Sequence, residues 1–356
     1  MSRRILGKQE LLDVTHGAAL LATGGGGSTG QGKGMIEDLL LGKRVELISV
    51  DEVEEKAKIL VVGGMGAPEV ISTRKWSKQA TNAFDALEKF TGEKFDYVIP
   101  PETGAEATLL TMVVAADKRI PTVDADGCGR AIPEIQQTMF YIHQIPMSPA
   151  AIADNSSTWV VVNTEDPLKM EDLCRAVTTE LGMQTGLAYQ KMTGSELKKA
   201  AIPGTVSRAE KVGRAIREAK SSGTDPVSSV VSIVDGVILG RGRVTQKVKE
   251  TKQGFTFGKV IIQGKEGDLT IDYKNENMLA WKGRGLIAMV PDSICYIGAN
   301  GDPLSNFDVK EGMDIVVIGI KAHPAWRTPA GVHAFKRTIE AMGYNGEYRK
   351  IEDLNR

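Results

Sequence analysis

The segment Asp124-Ala125-Asp126-Gly127-Cys128-Gly129-Arg130 places two carboxylates, a thiol and a guanidinium close together in the chain. Asp124 and Asp126 are two apart, so in an extended chain they face the same side. Gly127 and Gly129 let the backbone turn back. Pro133 suits the first turn of a helix running through Ile135, Met139 and Phe140, where a missing N–H costs nothing. The expected result is a helix amino terminus with Arg130 beside it, a positive pocket opposite two carboxylates. That arrangement could bind a polar heterocycle and move a proton on it. The competing reading is an internal Asp–Arg pair that only braces the turn. Cys128 has no histidine in a recognisable pairing relation, which favours a small buried filler over a nucleophile.

Other loops add candidates. Pro100-Pro101-Glu102-Thr103-Gly104-Ala105-Glu106 follows an expected strand, and Glu102 sits where the next helix should begin. An acid there is either a site residue or a dipole partner of that helix. The loop over 23–34 is almost wholly glycine and small polar residues. Its Gly27-to-Gly34 stretch approaches the phosphate-binding pattern G-x-x-x-x-G-K-[ST], but Gly34 replaces the magnesium-binding hydroxyl and the loop follows a helix where a strand is required. Close approach of bare backbone amides to a ligand is the favoured reading, with a plain surface turn as the alternative. Gly63-Gly64-Met65-Gly66-Ala67-Pro68 fails the dinucleotide fingerprint, because Glu69 stands at its last position. It is expected as a loop at the end of a buried strand, either lining a ligand as open α/β sheets do or only turning the chain from strand to helix. His323-Pro324-Ala325-Trp326-Arg327 is either a cap over an interdomain cleft or a packed loop.

The catalytic candidates are therefore Asp124, Asp126, Glu102 and Arg130. The candidates for substrate contact are Gly25, Gly26, Ser28, Gly64, Gly104, Glu134 and His323. A divalent metal on Asp124, Asp126, Glu102 and a histidine stays open, although no H-x-H, H-E-x-x-H or acidic calcium loop occurs. No cofactor is required by any motif.

These residues need a scaffold. Helical spacing covers 8–22, 76–90 and 106–117, with strands at 45–50, 58–62, 95–99 and 121–123. This alternation predicts an α/β domain with a mainly parallel sheet and helices on its faces. Helices follow at 168–181, 196–200 and 208–220. Beyond the break at 221–226, strand-like runs at 229–239, 255–262, 269–273, 286–290, 294–298 and 314–320 predict a smaller β-rich domain, closed by a helix at 331–342. The expected organisation is an α/β domain over 1–166, a helical connection over 167–226, a β-rich domain over 227–330, and a terminal helix and tail over 331–356.

The 356-residue length exceeds one comfortable core and agrees with two domains. With 44 basic and 45 acidic residues the net charge is −1 and no long run of either sign occurs, which argues against nucleic acid or a membrane surface as partner. A small-molecule substrate fits better. The amino-terminal MSRRILGKQELLDV lacks the apolar core of a signal peptide, and no stretch approaches a membrane span. Three dispersed cysteines without C-x-x-C favour reduced thiols in a cytoplasmic protein. A homo-oligomer is the base expectation for such an enzyme.

Three motifs carry a family resemblance: Ala22-Thr23-Gly24-Gly25-Gly26-Gly27-Ser28; Val123-Asp124-Ala125-Asp126-Gly127 with Gly129-Arg130-Ala131 and Pro133-Glu134; and Val316-Val317-Ile318-Gly319. Together they resemble the S-methyl thiohydantoin desulfurase-like family, formerly a domain of unknown function associated with hydantoinase/oxoprolinase-type proteins. The resemblance spans nearly the whole chain. It departs at Cys128, where the family more often has Met, and at Glu102-Thr103-Gly104-Ala105-Glu106, where a more glycine-rich stretch is usual. It implies hydrolysis at a ring C–S or related C–N bond of a thiohydantoin- or hydantoin-like five-membered ring. Water activated by Asp124 or Asp126 would add to the sp² ring carbon, with Arg130 and helix amides meeting the developing charge. On that reading Asp126→Asn abolishes turnover and leaves folding largely intact. The alternative is a non-catalytic ligand-binding or accessory subunit of a hydantoinase/oxoprolinase-type system. Convergence of Glu102, Asp124 and Asp126 in one cleft favours the enzyme, and their dispersal the binding module.

Overall fold

The computed structural model describes residues 3–66, 68–71, 73–252 and 254–355. Met1 and Ser2 of the amino terminus and Ala67 of the second glycine segment lie outside the described residues.

The amino-terminal domain is built on a mixed sheet. Its centre is four parallel strands, in the order Val45–Ile48, Thr122–Val123, Tyr97–Ile99 and Lys58–Gly66. Arg4–Leu6 adds antiparallel at one side, and Gln184–Thr193, Ala150–Ala153 and Trp159–Val162 add antiparallel at the other. The helices Lys8–Leu21, Gln79–Thr91, Ala105–Lys118 and Pro167–Glu180 cover it. Ile59, Leu60, Val61 and Val62 are all fully buried, as expected for a strand covered on both faces. Gly63, Gly64 and Gly66 do not form a loop. They continue this strand, paired with Leu187, Gly186 and Gln184. The stretch 167–226, expected as a helical connection, also supplies the strand Gln184–Thr193 to this sheet.

The carboxy-terminal sheet has eight antiparallel strands, in the order Gly285–Met289, Glu276–Lys282, Leu269–Lys274, Phe255–Gln263, Val237–Lys252, Asp314–Ile320, Ser293–Gly298 and Pro303–Leu304. The α/β class and the β-rich second sheet agree with the sequence reading.

Two elements differ from expectation. The run at 229–239 begins as a helix, Pro226–Val234, because Asp225 accepts from the N–H groups of Val227 and Ser228 and Pro226 occupies the first turn. Its valines at 227, 230 and 234 face the core with helical spacing, although valine favours strands. No helix begins at Pro133. The short helix Met139–Ile142 starts later, where the Thr138 hydroxyl accepts from Tyr141 N, and residues 130–137 are irregular. Arg130 therefore has no helix amino terminus beside it.

Candidate functional site

The loops after Ile99 and Val123 leave the parallel strands on the same side and bind each other: Gly127 N donates to Pro101 O at 3.1 Å and Thr103 N to Arg130 O at 3.2 Å. The glycine run joins them, since Glu106 N donates to Gly26 O at 2.9 Å. From the second domain, Asn277 N reaches Thr23 O and Asn306 N reaches Gly24 O, each at 2.7 Å. The glycine loop is thus held from both domains, and a cleft of about 600 Å³ opens between them. Gly24–Gly27, Ser28, Gly64, Pro101, Glu102, Glu106 and Glu134 line it from the first domain. Lys247, Lys249, Tyr273, Glu276 and Asn306 line it from the second.

The glycines are there because carboxylates press against them. A Cβ on Gly25 would lie 2.0 Å from Glu276 Oε1, and one on Gly27 would lie 2.4 Å from Glu106 Oε1. The close backbone approach anticipated for this loop exists, but toward the protein's own acids. Ser28 caps the helix Thr29–Met35 by accepting from Gln31 N, so the expected loop ends six residues early. Gly104 packs against the Cα of Gly26 beneath the loop and does not line the cleft.

Two carboxyl groups dominate the cleft electrostatically. Glu276 is 4% exposed, its Oε2 has no hydrogen-bond partner among the described residues, and burial pushes it up to about 8. Glu102 accepts from Ile132 N at 2.7 Å, yet burial and then the facing Glu276 hold it well above the usual carboxylate range. Both carboxyls therefore hold their protons more tightly than ordinary glutamates do. Glu106 is pushed up to about 7 by burial, against hydrogen bonds from Trp76 Nε1 and Ser28 N. Glu134 differs. Burial works against its ionisation, but the salt bridge to buried Lys274 outweighs burial and keeps it below its ordinary range.

Asp124, Asp126 and Arg130 do not line the cleft. Asp124 accepts from Ser207 N at 2.9 Å and from the Ser207 hydroxyl, bracing the first turn of the helix Thr205–Ser222. Asp126 accepts from Cys128 N at 2.7 Å, Gly129 N at 2.5 Å and Thr103 Oγ1 at 2.5 Å, which leaves it stitching the turn together. Burial pushes Asp126 up to about 6. Arg130 is 1% exposed and donates to Thr23 Oγ1 and to the carbonyls of Ala131, Asn277, Pro291 and Asp292. It joins the two domains from behind the cleft. The positive pocket expected around Asp124 and Asp126 is replaced by separate internal contacts, each satisfied by the backbone.

His323 is exposed, caps the short turn Pro324–Arg327 by accepting from Ala325 N, and lies outside the cleft. Trp326 beside it packs on Phe335 and donates to Cys128 O at 2.6 Å, so this segment is a packed loop. Cys128 is buried, and burial raises its thiol well above its ordinary value, as suits a filler. Among the described residues no group of three or more His, Cys, Asp or Glu side chains converges as a metal set, and Asp124, Asp126 and Glu102 do not assemble into one. No helix of the described residues is long and apolar enough to cross a membrane.

Glu276 and Asn306 were missed from the sequence. The available signal was Lys274-Asn275-Glu276-Asn277, four polar residues interrupting an apolar strand pattern. Buried polar residues in such a place need a reason.

Residues 9–164 match the model of the S-Me-THD-like N-terminal domain, and residues 165–351 match that of the S-Me-THD-like C-terminal domain. The chain belongs to the S-Me-THD-like family. A crystal structure of a protein from Chromobacterium violaceum is similar over 98% of this chain and 100% of that one, with 26% identity and a TM-score of 0.86. No curated protein matches the chain.

Proposed function

We propose that this protein is a hydrolase of a thiohydantoin- or hydantoin-like five-membered ring, with the ring in the interdomain cleft and Glu102 and Glu276 as its proton-moving pair. The observation that carries this reading is the pair itself: two carboxyls lining one small-ligand cavity, both held well above the usual carboxylate range by burial. Once one member has ionised, it is a base and its partner an acid at the same pH. Water loses a proton to the ionised carboxylate as its oxygen bonds to the sp² ring carbon. The C–S bond breaks with its electron pair leaving on sulfur, and the proton of the second carboxyl ends on the leaving thiolate. The remaining proton of the added water moves from the new hydroxyl to the ring nitrogen, so ring thioimidate and water become ring amide and thiol.

Incubation of the purified protein with an S-methyl thiohydantoin, with released methanethiol measured by a thiol reagent, tests the reading. Release that falls strongly in both Glu102→Gln and Glu276→Gln is expected. Absence of release, or undiminished release in both variants, overturns it. The accessory-subunit alternative draws on the dispersal of Asp124 and Asp126 away from the cleft, and ring binding without turnover favours it.

A further inference from the structure

The side-chain amide of Asn306 has only one orientation open to it. Asn277 Nδ2 donates to Ile294 O at 2.8 Å, which leaves Asn277 Oδ1 as an acceptor. Asn306 Nδ2 fills that acceptor at 3.0 Å and donates its other proton to Asn275 O at 2.8 Å. Both donors of Asn306 are used, so the group facing away from these contacts is its Oδ1, a pure acceptor. Asn306 is 7% exposed, and this oxygen has no hydrogen-bond partner among the described residues. Glu276 Oε2 is likewise buried without a hydrogen-bond partner among the described residues, and both residues line the cleft. Their backbones are fixed: Asn306 N is bonded to Gly24 O, and the neighbouring Gly25 abuts the Glu276 carboxyl.

We infer that Asn306 and Glu276 form a recognition subsite for the N–H edge of a planar heterocycle, Asn306 Oδ1 accepting from a ring N–H. This inference rests on the reading of the cleft as a ring-binding site and adds which edge of the ring it selects. A buried acceptor with no protein donor favours a ligand that brings one, and penalises a ligand that covers it with a methyl group. Next to the N–H, a hydantoin-type ring carries a carbonyl or imine acceptor, which suits the proton-bearing form of Glu276. Asn306 is therefore the specificity-determining residue and Glu276 its reacting neighbour.

Calorimetric titration with hydantoin and its two N-methyl derivatives tests this. The native protein should bind hydantoin and reject at least one N-methyl derivative by about 10-fold or more. Asn306→Ala should bring the rings within about 2-fold of one another, the residue of discrimination expected when only packing differs. Asn306→Ser, too short to reach the ring, carries the same expectation should the alanine variant fail to fold. Equal binding of all three rings by the native protein, or selectivity that survives in these variants, overturns the role of Asn306. Thiol release on the same preparations separates the two claims. Turnover with equal binding removes Asn306 alone, selective binding without turnover removes the hydrolase reading alone, and no binding of any ring removes both.

Discussion

Arg130 Nη2 donates to the hydroxyl of Thr23 at 2.9 Å, tying the turn after the parallel sheet to the residue that begins the glycine loop. Every other hydrogen bond of this guanidinium goes to a main-chain carbonyl. An arginine stays charged even when buried, so the site holds a cation that no hydrogen-bonded carboxylate neutralises. The carboxyl whose charge supports it most is Glu276, and its field in turn favours ionisation of both Glu102 and Glu276. Asp292, also near, is already bound to Arg327 at 2.6 Å. The cation thus eases the ionisation of the acid pair.

Replacing Arg130 should therefore act on pH dependence and on stability together. The proposed reaction needs one of the two carboxyls ionised, so turnover by the native protein should rise as pH approaches about 8, where Glu276 loses its proton. Arg130→Met raises both carboxyl pKa values and moves the whole active window to higher pH, while Arg130→Lys, which keeps the charge, moves it less. Both variants lose stability, by about 3 kcal/mol or more for the methionine, because carbonyls in both domains lose their donor. A pH–rate profile that stays in place in Arg130→Met would rule out the electrostatic role.

Glu106 should make stability depend on pH in an unusual direction. Its folded pKa, about 7, lies above the ordinary value of 4.5. The folded state therefore holds a proton that the unfolded chain has released, and the stability this confers below pH 4.5 is lost as pH rises to about 7. The loss is about 3 kcal/mol at most. Glu106→Gln has no proton to lose. Melting temperatures measured at acid and at mildly alkaline pH should show the variant gaining on the native protein as pH rises; a constant gap would contradict the assignment.

Much of the scaffold was legible in the residues. The apolar run at 59–62 announces a buried strand, and the loops after Ile99 and Val123 do meet on one side of the parallel sheet. Two kinds of information were not local. Gln184–Thr193 sits between Lys58–Gly66 and Ala150–Ala153, a pairing set by topology rather than by any pattern in its own residues. The second is the role of each acid. Asp126 and Glu102 look alike as sequence, but backbone donors surround the first, whereas the second faces another carboxyl across a domain boundary. That facing partner, Glu276, lies more than a hundred residues away along the chain.

Asp126 offers a direct check on that distinction. In Asp126→Asn the amide oxygen still accepts from Cys128 N and Gly129 N, and its NH₂ can donate to the Thr103 oxygen. Stability should change by about 1 kcal/mol or less. Asp126→Ala leaves all three donors buried and unpaired, and should cost about 3 kcal/mol or more. The folded fraction of both variants should still turn over the ring. Loss of turnover in a fully folded Asp126→Asn would restore this residue to the catalytic set.

The glycine loop gives the sharpest contrast between two substitutions of one kind. Gly25→Ala puts a methyl group 2.0 Å from Glu276 Oε1, so the carboxyl must move. Displacing a reacting group by about an ångström costs on the order of 100-fold in rate, and kcat/KM should fall by at least that while the protein remains folded. Gly34→Ala lies in the helix Thr29–Met35, where an added Cβ meets nothing within 4 Å. There alanine should raise stability by up to about 1 kcal/mol and leave turnover unchanged. Equal activity in the two variants would mean that the glycine run does not set the position of Glu276, and the acid pair would lose its structural support.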